Sequence, residues 1–162
     1  MNRKLRILGL AALALALAVS GAWAAGTTYT WTGASGTDKK WSTAGNWTPN
    51  GAPGSDPADV VIISQDATIE NNGVAYPGGL AELRLVGGVT LTFQENADAL
   101  TVKNVLVTEG KAVINTTSGA HFVVSDTAQA SFDIAKDASL SIKGNGVKGV
   151  AGNLTLHGEG TL

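Results

Sequence analysis

Glu82-Leu83-Arg84-Leu85-Val86-Gly87-Gly88-Val89-Thr90-Leu91-Thr92-Phe93-Gln94 is the stretch on which the fold turns. On both sides of the glycine pair, apolar and polar residues alternate. A period of two places one set of side chains in a core and the other in water, which is the signature of a half-buried strand. The glycines between the runs accept the positive φ that a tight turn needs. These residues therefore predict two short strands and a turn.

The same grammar extends in both directions. Alternating runs occur at Val60 to Ser64, Leu100 to Lys103, Val105 to Thr108, His121 to Ser125, Ser131 to Ala135, Ser139 to Lys143 and Asn153 to His157. Turn residues separate them at Asn71-Asn72-Gly73, Gly78-Gly79, Glu109-Gly110, Ser118-Gly119, Gly144-Asn145-Gly146 and Gly158-Glu159-Gly160. Asp66, Asp98 and Asp137, each followed by alanine, read as turn residues and not as a carboxylate site. No amphipathic helix can be placed after residue 25.

Spacing selects the architecture. Apolar strand centres recur mostly every eight to ten residues, so two or three strands make about 20 to 25 residues, the length of one coil of a solenoid. The expected fold is all-β, a right-handed parallel β-helix whose coils bury a common row of Leu, Ile, Val and Phe. A two-sheet β-sandwich is the alternative that the same spacing permits.

The first residues have another purpose. Arg3, Lys4 and Arg6 precede an apolar run from Ile7 to Val19, and Ala22 and Ala24 flank Trp23 in the pattern read by signal peptidase. A run of 13 residues is short of the roughly 20 needed to span a bilayer. Residues 1–24 are thus expected to be a signal peptide, residues 25–59 a Trp/Pro/Gly-rich cap segment and residues 60–162 the β-solenoid coils. Export by the general secretion path would leave the chain periplasmic, at the cell surface or extracellular. The chain holds no cysteine, so neither lipid attachment through cysteine nor a disulfide framework is available. Removing the leader takes three basic residues and no acidic one, which leaves 8 basic against 13 acidic residues and a net charge of −5. That balance argues against nucleic acid as a partner.

Trp31, Trp41 and Trp47 cluster ahead of Pro49, Pro53 and Pro57. Two uses suit such a cluster: a platform that stacks on sugar rings, or a lid that covers the first coil. The lid is the preferred reading, because an end-plug needs aromatic bulk. The pattern Trp31-Thr32-Gly33, Trp41-Ser42, Gly45-Asn46-Trp47, Gly51-x-Pro53 and Asp59-x-Val61-Ile62-Ile63 resembles the opening of secreted bacterial β-helix proteins of the autotransporter-passenger type. Gly152-Asn153-Leu154-Thr155-Leu156-x-Gly158-x-Gly160-Thr161-Leu162 is similar to the phrase of autotransporter-associated β-strand repeats. The resemblance implies a solenoid that opens at the Trp segment and acts by surface contact. The chain departs from that group in holding no set of strands that would make a membrane barrel, so export through such a barrel is not implied. It also stops within a strand phrase, so truncation or an end-on partner is expected, including end-to-end self-association through an uncapped last coil.

Candidate chemistry is sparse. His121 and His157 neighbour Phe122 and Leu156, which alternation turns inward, so both histidines are expected at the surface. No zinc spacing or nucleophile elbow is present, and no catalytic residue or cofactor is assigned. Asp56 and Asp59 are the weak candidates for a metal, with turn formation and amide capping as their preferred role. Glu82 and Arg84 are expected to pair on the outer face. Asn46, Asn115 and Asn153 head Asn-x-Thr sequons that matter only in a host that glycosylates them. The sequence thus points to a structural or adhesive element that breaks no bond and contacts an extracellular polysaccharide or protein. A carbohydrate-binding module built on the three tryptophans, and the remnant of a β-helical polysaccharide-degrading enzyme, are the other readings.

Overall fold

A computed structural model describes residues 26–70, 79–94, 99–117, 121–125, 130–151 and 154–162. The expected signal peptide, the turns at Asn71-Asn72-Gly73, Gly78 and Ser118-Gly119, and the residues Asp98, Gly152 and Asn153 lie outside them. Among the described residues the chain is all-β. Its strands are β1 (Thr28–Trp31), β2 (Trp47–Thr48), β3 (Val60–Ile63), β4 (Ala67–Glu70), β5 (Leu80–Leu85), β6 (Thr90–Gln94) and β7 (Ala99–Val107). They continue with β8 (Lys111–Thr116), β9 (His121–Ser125), β10 (Ala130–Ile134), β11 (Ser139–Gly144), β12 (Val147–Ala151) and β13 (Leu154–His157). The helical content of the described residues is a single 3₁₀ turn at Ala44–Asn46.

Two sheets hold these strands. One runs β12-β9-β7-β5-β3-β1-β2, with β10 pairing both β7 and β13, and the other runs β11-β8-β6-β4. Every strand pair is parallel except β1 with β2. Jelly-roll and immunoglobulin-like sandwiches are built from antiparallel sheets, so the ladders depart from the alternative expectation.

From β3 onward, each strand's hydrogen-bonded neighbour lies 22 to 28 residues along the chain, and the register carries like side chains onto like. Val61 stands opposite Leu83, then Val105, Phe132 and Leu156. Ala67, Leu91, Ile114 and Ile142 form a second row. Leu80, Val102 and Val124 form a third. All the buried apolar side chains belong to one cluster. A one-residue slip in any strand would turn its apolar set to water, so burial of this cluster fixes the register.

Two differences from the sequence expectation have separate causes. Leu100–Lys103 and Val105–Thr108 form one strand, β7, because the inward residues Leu100, Val102, Val105 and Val107 skip a beat at Lys103-Asn104. The strand turns a corner there, pairing β9 with its first half and β10 with its second. Asn104 secures that corner: its amide donates to the carbonyl of Ala81 at 3.2 Å and its oxygen accepts from the Ser131 hydroxyl at 2.8 Å. The strands β1, β2, β4, β8 and β12 were not among the predicted runs: β1, β2 and β4 are only four, two and four residues long, and Ala112-Val113-Ile114 in β8 and Val147-Lys148-Gly149 in β12 show little alternation.

Turn chemistry follows expectation at the described sites. Asp66 accepts the backbone N–H of Thr90 at 2.7 Å, and Asp137 takes a positive φ of 63° in the turn between β10 and β11. Gly88 and Gly110 stack in successive turns with φ of 71° and 72°. A Cβ on Gly110 would lie 2.8 Å from the Gly88 backbone, so the pair needs glycine for space as well as for conformation.

Candidate functional site

β1 lies parallel to β3 with Tyr29 opposite Val61, so Tyr29 and Trp31 extend the inward rows of the core by one more strand. On the outer edge of β1, β2 returns antiparallel and sets Trp47 opposite Trp31. This pairing spends the hydrogen bonds that the end of the sheet would otherwise offer to solvent.

Three indoles fill the space enclosed by these strands and the loop between them. Trp47 is at the centre: its ring centroid is 4.9 Å from Trp31 and 4.7 Å from Trp41, at interplanar angles of 76° and 65°. Edge-to-face packing of this kind adds to the burial of large apolar surfaces. Tyr29 meets Trp47 edge-on at 6.5 Å. Trp41 Nε1 donates to the carbonyl of Pro53 and Trp47 Nε1 to the carbonyl of Trp41, both at 2.8 Å. The three tryptophans are only 3–4% exposed. A stacking platform needs an open indole face, and the faces of Trp31, Trp41 and Trp47 are covered by one another and by the core.

Two buried polar residues shape the loops around the indoles. Asn46 is fully buried; its side-chain oxygen accepts from the Ser35 amide, and its Nδ2 donates to the carbonyls of Asp38 and Lys40 at 2.8 and 3.1 Å. Its backbone carbonyl accepts from the amide and hydroxyl of Thr32. Asp59, 1% exposed, accepts the amides of Thr27 on Oδ1 and of Gly54 on Oδ2, at 2.9 and 2.8 Å, with Asp56 N–H more distant at 3.4 Å. A buried carboxylate is costly unless its lone pairs are used, and here they hold three stretches of backbone together. Asp56 caps the Ala58 amide at 2.9 Å. Both weak metal candidates thus serve backbone amides, and no group of three or more His, Asp or Glu side chains converges among the described residues.

Beside this segment, Asp38 accepts the Lys40 backbone amide at 3.0 Å and the Thr43 hydroxyl at 2.8 Å. The Lys40 amide, and then the Thr43 hydroxyl, hold the Asp38 carboxyl below the usual carboxylate range.

The other candidates are spread over the outside of the sheets. Thr68, Thr92, Asn115 and Lys143 succeed one another across β4, β6, β8 and β11. Glu82, Asn104, Ser131 and Thr155 do so across β5, β7, β10 and β13. Arg84 Nη2 meets Glu82 Oε1 at 2.6 Å, the outer-face pair read from alternation. His157 is exposed, and His121 stands in β9 opposite Ala99 and Val147. Of the sequons, Asn46 is buried inside the loop it organises, whereas Asn115 is partly exposed. Leu156 shares the register of buried Phe132, yet it is 61% exposed, and among the described residues no strand pairs β13 on its far side.

Sequence reasoning read Asp59 as a cap for backbone amides, as the structure has it, but missed its burial, and it missed Asn46 as a buried hub. Their position beside Trp47 and just ahead of Val60 was visible, but which amides they serve depends on loop geometry. No helix among the described residues is long and apolar enough to cross a membrane. Compared with family models, with curated proteins and with solved structures, the chain finds no match.

Proposed function

We propose that this chain is an exported β-helical element of structural or adhesive function, which acts by surface contact and breaks no bond. The carrying observation is the parallel register at steps of 22 to 28 residues around one apolar cluster. Successive coils that each rest on the one before would produce such a ladder. A right-handed course follows from the general preference of parallel crossovers. In this reading residues 25–59 are the cap, and the burial of Trp31, Trp41 and Trp47 supports a lid over a sugar platform.

Export rests on the leader-like residues 1–24, and the autotransporter-passenger resemblance of the Trp segment supports a surface role. Contact would run through the outward rows, in which Thr68, Thr92 and Asn115 give a regular ladder of hydroxyl and amide groups. A polysaccharide or a protein at the cell surface is the partner such rows suit.

The test has two arms. Cells producing the whole chain are compared with cells producing residues 25–162, and surface proteolysis should cleave only the first. Purified chain is then bound to immobilised extracellular polysaccharide and to intact cells, beside a Thr92→Lys, Asn115→Lys double variant that keeps the β-type circular dichroism spectrum. Retention of the wild type and loss in the variant is the expected outcome. Retention that the outward substitutions leave unchanged, while Trp41→Ala abolishes it in a folded protein, would transfer the function to the tryptophans.

A further inference from the structure

The row that contains Leu100 and Phe122 ends in a departure from its own pattern. Leu100 and Phe122 are 1% exposed and stand opposite each other, and the next residue in register is Lys148. Lysine on an inward row is expensive unless the ammonium reaches water or acceptors. Lys148 bends to the rim, where Nζ donates to the carbonyls of Gly144 and Gly146 at 2.5 and 3.1 Å. Two of its three N–H groups are used in this way.

Beside it is an open cavity of about 280 Å³, lined by Phe122, Val124, Phe132, Ile142, Lys148 and Gly149. Four of these six are apolar side chains from three strands, β9, β10 and β11, and Lys148 is the single charge. The volume equals that of roughly nine water molecules, or a similar number of chain carbons. An apolar pocket with one convergent polar group is the usual form of a small-ligand site.

We infer that this cavity binds a small amphiphilic carboxylate, with the chain along Ile142 and the Lys148 stem and the carboxylate on the Lys148 ammonium. Charge complementarity selects this occupant: the rim cation excludes a cationic amphiphile and adds a charge-assisted hydrogen bond that a neutral alcohol forms less strongly. The carbonyls of Gly144 and Gly146 hold the ammonium in place, so the bound anion meets a preset partner. Nothing in this site depends on the contact function of the outer rows.

The test uses the whole mature chain, with decanoate as probe, titrated by calorimetry below its micelle threshold against decanol and decyltrimethylammonium. Decanoate should bind one molecule per chain, with at least about a tenfold preference over the cation, as expected for a hydrogen bond to a charged group. Lys148→Met should keep the fold and bring decanoate and decanol to parity. Ile142→Phe, checked by circular dichroism, should fill the cavity and abolish binding of both. Failure of decanoate to bind, preference for the cation, or an undiminished preference in Lys148→Met overturns the site. So does sedimentation showing that the unliganded chain pairs and Lys148→Glu dissociates it, since a second copy would then occupy the cavity mouth.

Discussion

The two ends of the inward rows differ in how they stop. At the β1 end, Tyr29 and Trp31 lie over Val61 and its neighbours, β2 occupies the free edge, and Trp47 is enclosed by aromatic rings on three sides. At the β13 end, Leu156 and Leu162 are 61% and 52% exposed and a cavity opens beside Phe122 and Phe132. Apolar alternation is the same at both ends. At the first end the loops are tied by buried polar groups: Asn46, Asp59 and the indole N–H groups of Trp41 and Trp47 all bond to backbone. An end of a parallel stack is closed by irregular chain whose own hydrogen bonds are met, and regular strands alone cannot do it.

Breaking the closed end should have the largest effect. Trp47→Ala removes the ring on which Tyr29, Trp31 and Trp41 all pack, and the loss should be about 3–5 kcal/mol, as for large aromatic truncations in cores. Urea unfolding of the mature chain measures it directly. A loss below about 1 kcal/mol would mean that the indoles relax into the gap and that the lid is not one packed unit.

The second test asks how firmly the last turn at the open end is held. Gly158 takes φ of 87°, and a Cβ there would collide with the carbonyl of Ile134 at the end of β10. Gly158→Ala should therefore cost about 1–3 kcal/mol, through strain at a position that favours glycine. Hydrogen exchange is the useful reading, because the cost should fall on the amides of β13 and leave β1 and β3 protected. Uniform loss of protection along the chain would show that both ends open together, and the contrast between them would collapse.

How much of this contrast was legible in the residues depends on the kind of signal. The rows through Leu83, Leu91, Val105 and Phe132 follow from period-two alternation, which is local and so survives in the sequence. Lys148 was not legible as an inward residue, since the sequence around Val147-Lys148-Gly149 shows no alternation and only pairing with Phe122 fixes its side. Trp31, Trp41 and Trp47 were legible as a cluster with two uses, and burial favours the lid because indole exposure is a property of the folded loop. Likewise alternation alone set the side of Leu156 and not its exposure, because a strand's inward side is buried only if something covers it.

A smaller effect is expected where the side chain is already in water. Leu156→Ala removes an exposed isobutyl group and should shift stability by no more than about 0.5 kcal/mol, the usual range for surface changes. Set beside Trp47→Ala, it scales the two ends against each other. A cost above about 2 kcal/mol, typical of a buried leucine, would show that Leu156 is covered in solution, and the open end would have to be redrawn.

The smallest effect belongs to Asp38, in the surface loop that Asn46 organises. The Lys40 amide and Thr43 hydroxyl lower its folded-state pKa relative to the unfolded chain, so its contribution is present above the unfolded value, near 3.9, and is lost as pH falls through the folded value. Thermal melts of wild type and Asp38→Asn between pH 7 and pH 2.5 isolate it. Wild type should be the more stable above about pH 4, and the gap should narrow below that as the carboxylate protonates. Because amide hydrogen exchange at Lys40 reports the same bond, its protection should fade over the same window while β13 amides stay unchanged. A gap that persists to pH 2.5 would assign the effect of the substitution to loop geometry and not to charge, since asparagine can accept the same amide yet carries no proton to gain.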